Sequence, residues 1–222
     1  MPQRLIPWAL AGRYGAAMVA GEAHHLKGQD GVRWVKQWLD YSTRVRTIYE
    51  NTEKLFGGLL SFTWPYGDQS FSFDLGGIFR GGRLDKQTFM MEVKTYDYES
   101  GSLAEEYRKF IAECYVAYER ESERCDHLIW ASFSPFQAKQ WNTHRSVDTI
   151  RNHILHRDNR FRVLGTDNEA DARLKVSEQT ILHISQRIWL LTLCVEQQDL
   201  RVLDDHYDHL LKFMRVKEGG DE

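Results

Sequence analysis

Apolar residues in the first part of the chain fall into two periods. From Gly31 they recur at intervals of three and four, so Val32, Val35, Trp38 and Leu39 share one face of a predicted helix. Upstream, residues 12–30 are punctuated by glycines and predict only short helical pieces. The period then shortens. STRVRTIYEN (42–51) and GLLSFTWPY (58–66) read as strands, the second ending at Trp64-Pro65, where proline restricts the residue before it. In FSFDLGGIF (71–79), Phe71, Phe73 and Leu75 alternate with Ser72, Asp74 and Gly76. In TFMMEVKTY (88–96), Phe89, Met91 and Val93 alternate with Met90, Glu92 and Lys94. Side chains two apart in a strand point the same way, so each run has an apolar face and a polar one. The linking RGGRLDKQ (80–87) carries a Gly-Gly pair suited to a turn, and together the two runs predict a hairpin.

A helix follows. Ser102 and Glu105 fit a capping box, and Leu103, Tyr107, Phe110, Ile111, Cys114, Tyr115 and Tyr118 keep helical spacing. HLIWASF (127–133) predicts a short buried strand, residues 146–157 a helix, and RFRVLG (160–165) a further strand. From Ser177 the tail predicts helix, with Leu203, Tyr207, Leu210, Leu211 and Met214 on one face. The order is helix, strands, helix, strand, then helical material. That predicts an α/β sandwich on a mixed sheet, with the helix after residue 101 as a crossover.

Composition narrows the function classes. The 222 residues carry a formal net charge of −3, so no whole-molecule basic field exists and nucleic-acid binding would need a local basic face. Three scattered cysteines without a CxxC argue against a disulfide framework or a zinc ribbon. The longest late apolar run, IWLLTLCV (188–195), is far short of the ~20 residues of a membrane span. The expected setting is a soluble, cytoplasmic protein with no membrane partner.

The charges inside the hairpin carry the candidate chemistry. Glu92 and Lys94 project from one face of one strand, and hairpin pairing sets Asp74 across from them. Two neighbouring carboxylates make a hard oxygen site for Mg²⁺. A lysine beside them orients a water or holds a phosphate oxygen. Such a set suits metal-dependent hydrolysis of phosphodiesters, on a site expected at a sheet edge. The same residues also fit the solvated face of an amphipathic hairpin, with Glu92 and Lys94 as a surface pair of little energetic value.

Asp74, a spacer of 17 residues, and then Glu92-Val93-Lys94 resemble the motif of the PD-(D/E)xK nuclease superfamily, the restriction-endonuclease-like fold. Asp74 matches the motif's aspartate, Glu92 its second acid and Lys94 its lysine. Phe73 stands where the motif's name has proline. The resemblance implies an αβββαβ core with a mixed central sheet over roughly residues 28–135. It implies residues 1–170 as a nuclease-like domain and 171–222 as a helical extension packed on it. It also implies Mg²⁺-dependent cleavage of DNA, less often RNA, with Mn²⁺ able to substitute. Asp74 and Glu92 would bind the metal, and Lys94 would position the attacking water. Many members add a glutamate from the first helix; Glu22 is favoured here over Asp30. Partners implied are nucleic acid, a second copy of the chain or a partner subunit, and the setting by analogy is bacterial restriction or anti-phage defence. The alternative is an inactive relative serving as a binding scaffold.

Arg80, Arg83 and Lys86 in the turn, with Arg44 and Arg46, are candidate phosphate contacts. A solvated mixed-charge surface explains them equally well.

Overall fold

The computed structural model describes residues 20–51, 57–95, 101–200 and 204–218. The chain opens with helix α1 (Ala20–Ser42), which starts well before the Gly31 expected from the apolar period. Strand β1 (Val45–Glu50) follows, then a short 3-10 turn and two three-residue strands, β2 (Ser61–Thr63) and β3 (Ser70–Ser72). Next come β4 (Leu75–Phe79), β5 (Thr88–Lys94), α2 (Gly101–Glu121) and β6 (His127–Ser132). Four short helices, α3 (Val147–Ile154), α4 (Arg157–Leu164), α5 (Glu169–Lys175) and α6 (Glu178–Arg187), lead to β7 (Ile188–Thr192) and then α7 (Asp204–Glu218).

The main sheet is mixed, in the order β1-β4-β5-β6-β7. β1, β4 and β5 run antiparallel; β6 and β7 run parallel to β5. Parallel neighbours need a crossover, which α2 supplies between β5 and β6, and α3–α6 between β6 and β7. The sheet is covered on both faces, so all six residues of β6 are buried. On one face Val35 and Leu39 of α1 pack with Leu75, Phe89, Met91, Val93, Ile129 and Ala131. On the other, Met90, Leu128 and Trp130 pack under α2, α3 and α6, joined by Phe71, Phe73, Tyr107 and Phe110.

Two glycines permit close approaches. A Cβ on Gly31 would fall 1.8 Å from Cγ2 of Thr95, so α1 passes close over the end of β5 there. A Cβ on Gly77 would fall 2.1 Å from the carbonyl oxygen of Arg46 and 2.8 Å from the Phe89 ring.

Besides the early start of α1, the structure departs from the expected elements in several places; of the expected strand 58–66, only Ser61–Thr63 is strand. The run 71–79 is not one strand. It breaks at Phe73-Asp74, because Phe71 and Phe73 fill the α2-side core while Leu75 fills the α1-side core. Its first part pairs instead with β2, in a separate two-stranded sheet. β5 is the central strand of five and not an edge. Ser102 lies inside α2 rather than at its cap. RFRVLG is helical: the His156 side chain caps α4, Gly165 closes it at φ 70°, and buried Asn159 ties it to the carbonyls of Arg108 and His153. The tail is not wholly helical, since Ile188–Thr192 joins the sheet beside β6; residues 170 and 171 both fall within α5. No helix among the described residues is long and apolar enough to cross a membrane.

Gly77→Ala should lower the stability by about 2–4 kcal/mol, because the methyl meets backbone that cannot yield. Gly58→Ala, where nothing lies within 4 Å, should shift it by less than about 0.5 kcal/mol. Urea unfolding midpoints of the two variants test the contrast.

Candidate functional site

Asp74 sits where β4 begins. Its N–H donates to the carbonyl of Met91 at 2.9 Å, and its own carbonyl accepts from the N–H of Asn51 at 3.2 Å. Beyond Met91 the ladder between β4 and β5 stops, and the Asp74 carboxylate takes over. Its Oδ2 accepts the N–H of Val93 at 2.8 Å, and its Oδ1 accepts from the Asn51 side chain at 3.2 Å. Burial pushes this carboxyl above its ordinary pKa; the Val93 N–H, the Lys94 charge and the Asn51 amide pull against that.

The β4–β5 ladder ends at Leu75 opposite Met91, and Asp74, the next residue, sits close enough to Glu92 for its charge to act on that carboxyl. Phe89, Met91 and Val93 face α1, so Glu92 and Lys94 face α2. Glu92 is only 9% exposed. Its Oε1 pairs with the Lys94 ammonium at 2.7 Å, while its Oε2 is buried without a hydrogen-bond partner among the described residues. Burial and the nearby Asp74 charge raise the Glu92 carboxyl to about 7. Burial alone would lower the Lys94 pKa, but the carboxylates of Glu92, Glu106 and Asp74 outweigh it and hold the ammonium charged. Lys94 is therefore a donor and a point charge, and not a proton acceptor.

α2 contributes residues that the strand motif does not include. Glu106 reaches Lys94 at 3.1 Å. One helix turn on, Lys109 pairs at 3.3 Å with Glu113, which is 4% exposed. Burial and the Glu92 charge raise Glu113 to about 7 as well. Their sequence signal was weak, because acids on an amphipathic helix normally mark its wet face. Only the position of Glu113, between Ile111 and Cys114, hinted at burial.

A cavity of about 490 Å³ opens beside Asp74, between α1 and the end of β1. It is lined by Gly28, Gln29, Val32 and Arg33 of α1, with Glu50, Asn51 and Asp74. The lining does not include Glu92 or Lys94. Among the described residues, the α1 positions facing it carry no carboxylate; Glu50, from the end of β1, supplies one. Glu22 lies in the first turn of α1, and its side chain is outside the described residues. Asp30, the alternative, is exposed and pairs with Arg33 at 3.1 Å. Among the described residues, no three His, Cys, Asp or Glu side chains form a group able to hold a metal ion.

The structure thus brings Asp74, Glu92 and Lys94 together at one end of β4 and β5. Arg80, Arg83 and Lys86 lie past the opposite end of the same strands. Six residues of extended chain separate Asp74 from Arg80, about 20 Å.

Glu92 and Glu113 give a signed pH effect. Each carboxyl has a folded pKa of about 7, above its unfolded value, so the folded state holds the proton more tightly. Their contribution to stability is full below the unfolded pKa and is lost as pH rises towards and through 7. Glu113→Gln should therefore gain in Tm relative to the parent as pH goes from 5 to 8. Differential scanning fluorimetry of both proteins across that range reads the difference, and a constant difference would contradict it.

No protein-family model matches the chain, and no curated protein matches it. Among solved structures it is similar to the Moraxella osloensis Cap4 SAVED/CARF-domain containing receptor, at 13% identity and a TM-score of 0.36. The match covers 78% of this chain and 34% of that one, so the chain spans about a third of that receptor's length.

Proposed function

We propose that this chain is a divalent-metal-dependent nuclease of the restriction-endonuclease-like kind, acting most readily on DNA. The observation that carries this reading is the buried Oε2 of Glu92, without a hydrogen-bond partner among the described residues, on the strand that also bears Lys94 and whose Val93 N–H is held by Asp74. A buried carboxylate oxygen without a partner costs stability unless something charged completes it. The order α1, β1, β4, β5, α2, β6, with β6 parallel to β5, supports an αβββαβ core for that reading.

The donors fit a hard cation. Mg²⁺ is commonly held by one or two carboxylates, with waters and substrate phosphate completing its shell, so two acids suffice. Asp74 and Glu92 would hold it; when bound, it would polarise the phosphoryl oxygen and acidify a water. The chain's own residues supply the rest. Val93 and Asn51 fix the Asp74 carboxylate by hydrogen bonds. The Lys94 ammonium, kept charged by its neighbours, donates to the attacking water or to a phosphate oxygen and steadies developing negative charge. The cavity beside Asp74 gives the nucleic-acid backbone an approach to that carboxylate. The water oxygen bonds to phosphorus as the bond to O3′ breaks, and the water proton leaves to solvent.

A second reading has its own observation. Lys94 is clamped between Glu92 and Glu106, a closed ion-pair network that also serves to hold β5 against α2 in an inactive binding scaffold.

Cleavage of plasmid and labelled oligonucleotides with Mg²⁺ or Mn²⁺ separates the two. The nuclease reading expects metal-dependent cutting that falls on the order of 10²–10³-fold in Asp74→Asn, Glu92→Gln and Lys94→Ala, with the fold retained by circular dichroism. Cutting unchanged in folded variants would sink the site. No cutting by the parent chain with either metal would favour the scaffold.

A further inference from the structure

The corner of the sheet farthest from Asp74 concentrates positive charge. Val45 pairs with Phe79 and Arg46 with Ile78, so the start of β1 lies against the end of β4. The Arg80 N–H donates to the carbonyl of Arg44 at 2.7 Å, and an Arg44 guanidinium nitrogen lies 3.2 Å from where a Cβ on Gly82 would stand. Arg44 and Arg46 thereby join Arg80, Arg83 and Lys86, which the turn brings round. All are exposed except Arg80, which is half-buried. None of the five forms an ion pair with a described residue. Arg151, Arg173 and Arg124 each pair with a carboxylate, whereas exposed Lys139 and Arg145, which are separate from this corner, also form no ion pair with a described residue; what distinguishes the five is that they lie together. The one acid in the turn, Asp85, has its Oδ1 taken by the N–H of Gly81 at 2.6 Å.

Cations clustered without an ion pair to any described residue, on a chain of net charge −3, form a local positive field. Planar guanidinium forks suit phosphate oxygens, and a polyphosphate backbone suits several of them in a row. Gly81 and Gly82 leave the turn backbone bare, with open space where a Cβ on Gly81 would stand. Those features favour an extended polyanion close to the backbone.

We propose that Arg44, Arg46, Arg80, Arg83 and Lys86 form a second contact surface for nucleic acid, gripping backbone phosphates about 20 Å from Asp74. The choice of nucleic acid as the polyanion rests on the proposed function; the surface itself does not. At about 3.4 Å per base step, the grip lies some six nucleotides from the reacting phosphate. Substrates extending that far on the gripped side would bind by both sites.

The test is fluorescence anisotropy in EDTA, where no cutting occurs, using the full chain with labelled 24-mers of duplex DNA, single-stranded DNA and RNA. Arg44→Glu with Arg83→Glu should weaken binding of at least one of these by tenfold or more at 0.1 M salt. The slope of log K against log salt should fall by about 1–2. Arg44→Gln with Arg83→Gln should give a smaller loss in the same direction. Lys139→Glu with Arg145→Glu, exposed cations elsewhere, makes the same charge change and should leave binding within twofold. Equal weakening by the Lys139/Arg145 pair, no weakening by either Arg44/Arg83 pair, or no binding by the parent would overturn the proposal. So would equally tight binding of polyglutamate. A parent that cuts but binds without regard to Arg44 and Arg83 would leave the nuclease reading standing alone. Patch-dependent binding without cutting would do the reverse.

Discussion

A carboxylate that replaces a backbone acceptor sets the geometry of this molecule's most charged region. At Asp74 the chain leaves one hydrophobic core and enters another, and no regular ladder survives the change of face. The Val93 N–H would be left bare inside the protein, at a cost of about 1–3 kcal/mol. Asp74 Oδ2 satisfies it. That bond marks where β4 starts and where β5 goes on paired with β6 only. It also directs the remaining carboxylate oxygen towards Asn51 and the cavity.

Around that bond the protein places charge where little water reaches. Glu92, Glu113, Lys94 and Asp74 are all partly or fully withdrawn from solvent, and their ion pairs only partly offset the loss of hydration. Asp74, Glu92 and Glu113 all have raised pKa values, through burial first and then through one another's charge. A core built for stability alone would carry apolar residues there. Retention of a half-satisfied carboxylate at the centre of a five-stranded sheet is the kind of local inconsistency expected at functional sites.

Much of this was legible in the amino-acid order. Alternation put Glu92 and Lys94 on one face, and the hairpin put Asp74 opposite, because strand period and antiparallel register are local properties. The bend at Asp74 was not legible: Phe73 and Leu75 obey the alternation perfectly, and only the existence of two cores separates them. Glu106 and Glu113 were hidden for another reason. Helical patterning assigns acids to the wet face, and their burial depends on what β5 presents to α2. RFRVLG alternated like a strand, but its end caps, His156 and Gly165, prevailed. IWLLT was too short an apolar run to be told from helix by period alone, and its partner strand lies far away in sequence.

That distance has a consequence for how the chain comes to be folded. β7 lies beside β6 only after the whole of α3–α6 has been laid down. During synthesis from the N-terminus, β6 therefore exposes an unpaired, entirely apolar-flanked edge until the last helices have emerged. The intermediate at that stage is a four-stranded sheet with a sticky side. Late closure of a parallel edge is slow, because its loop entropy must be met before the pairing is gained. The window in which this protein is prone to self-association is thus written into the order of its strands, far from the charges that define its chemistry.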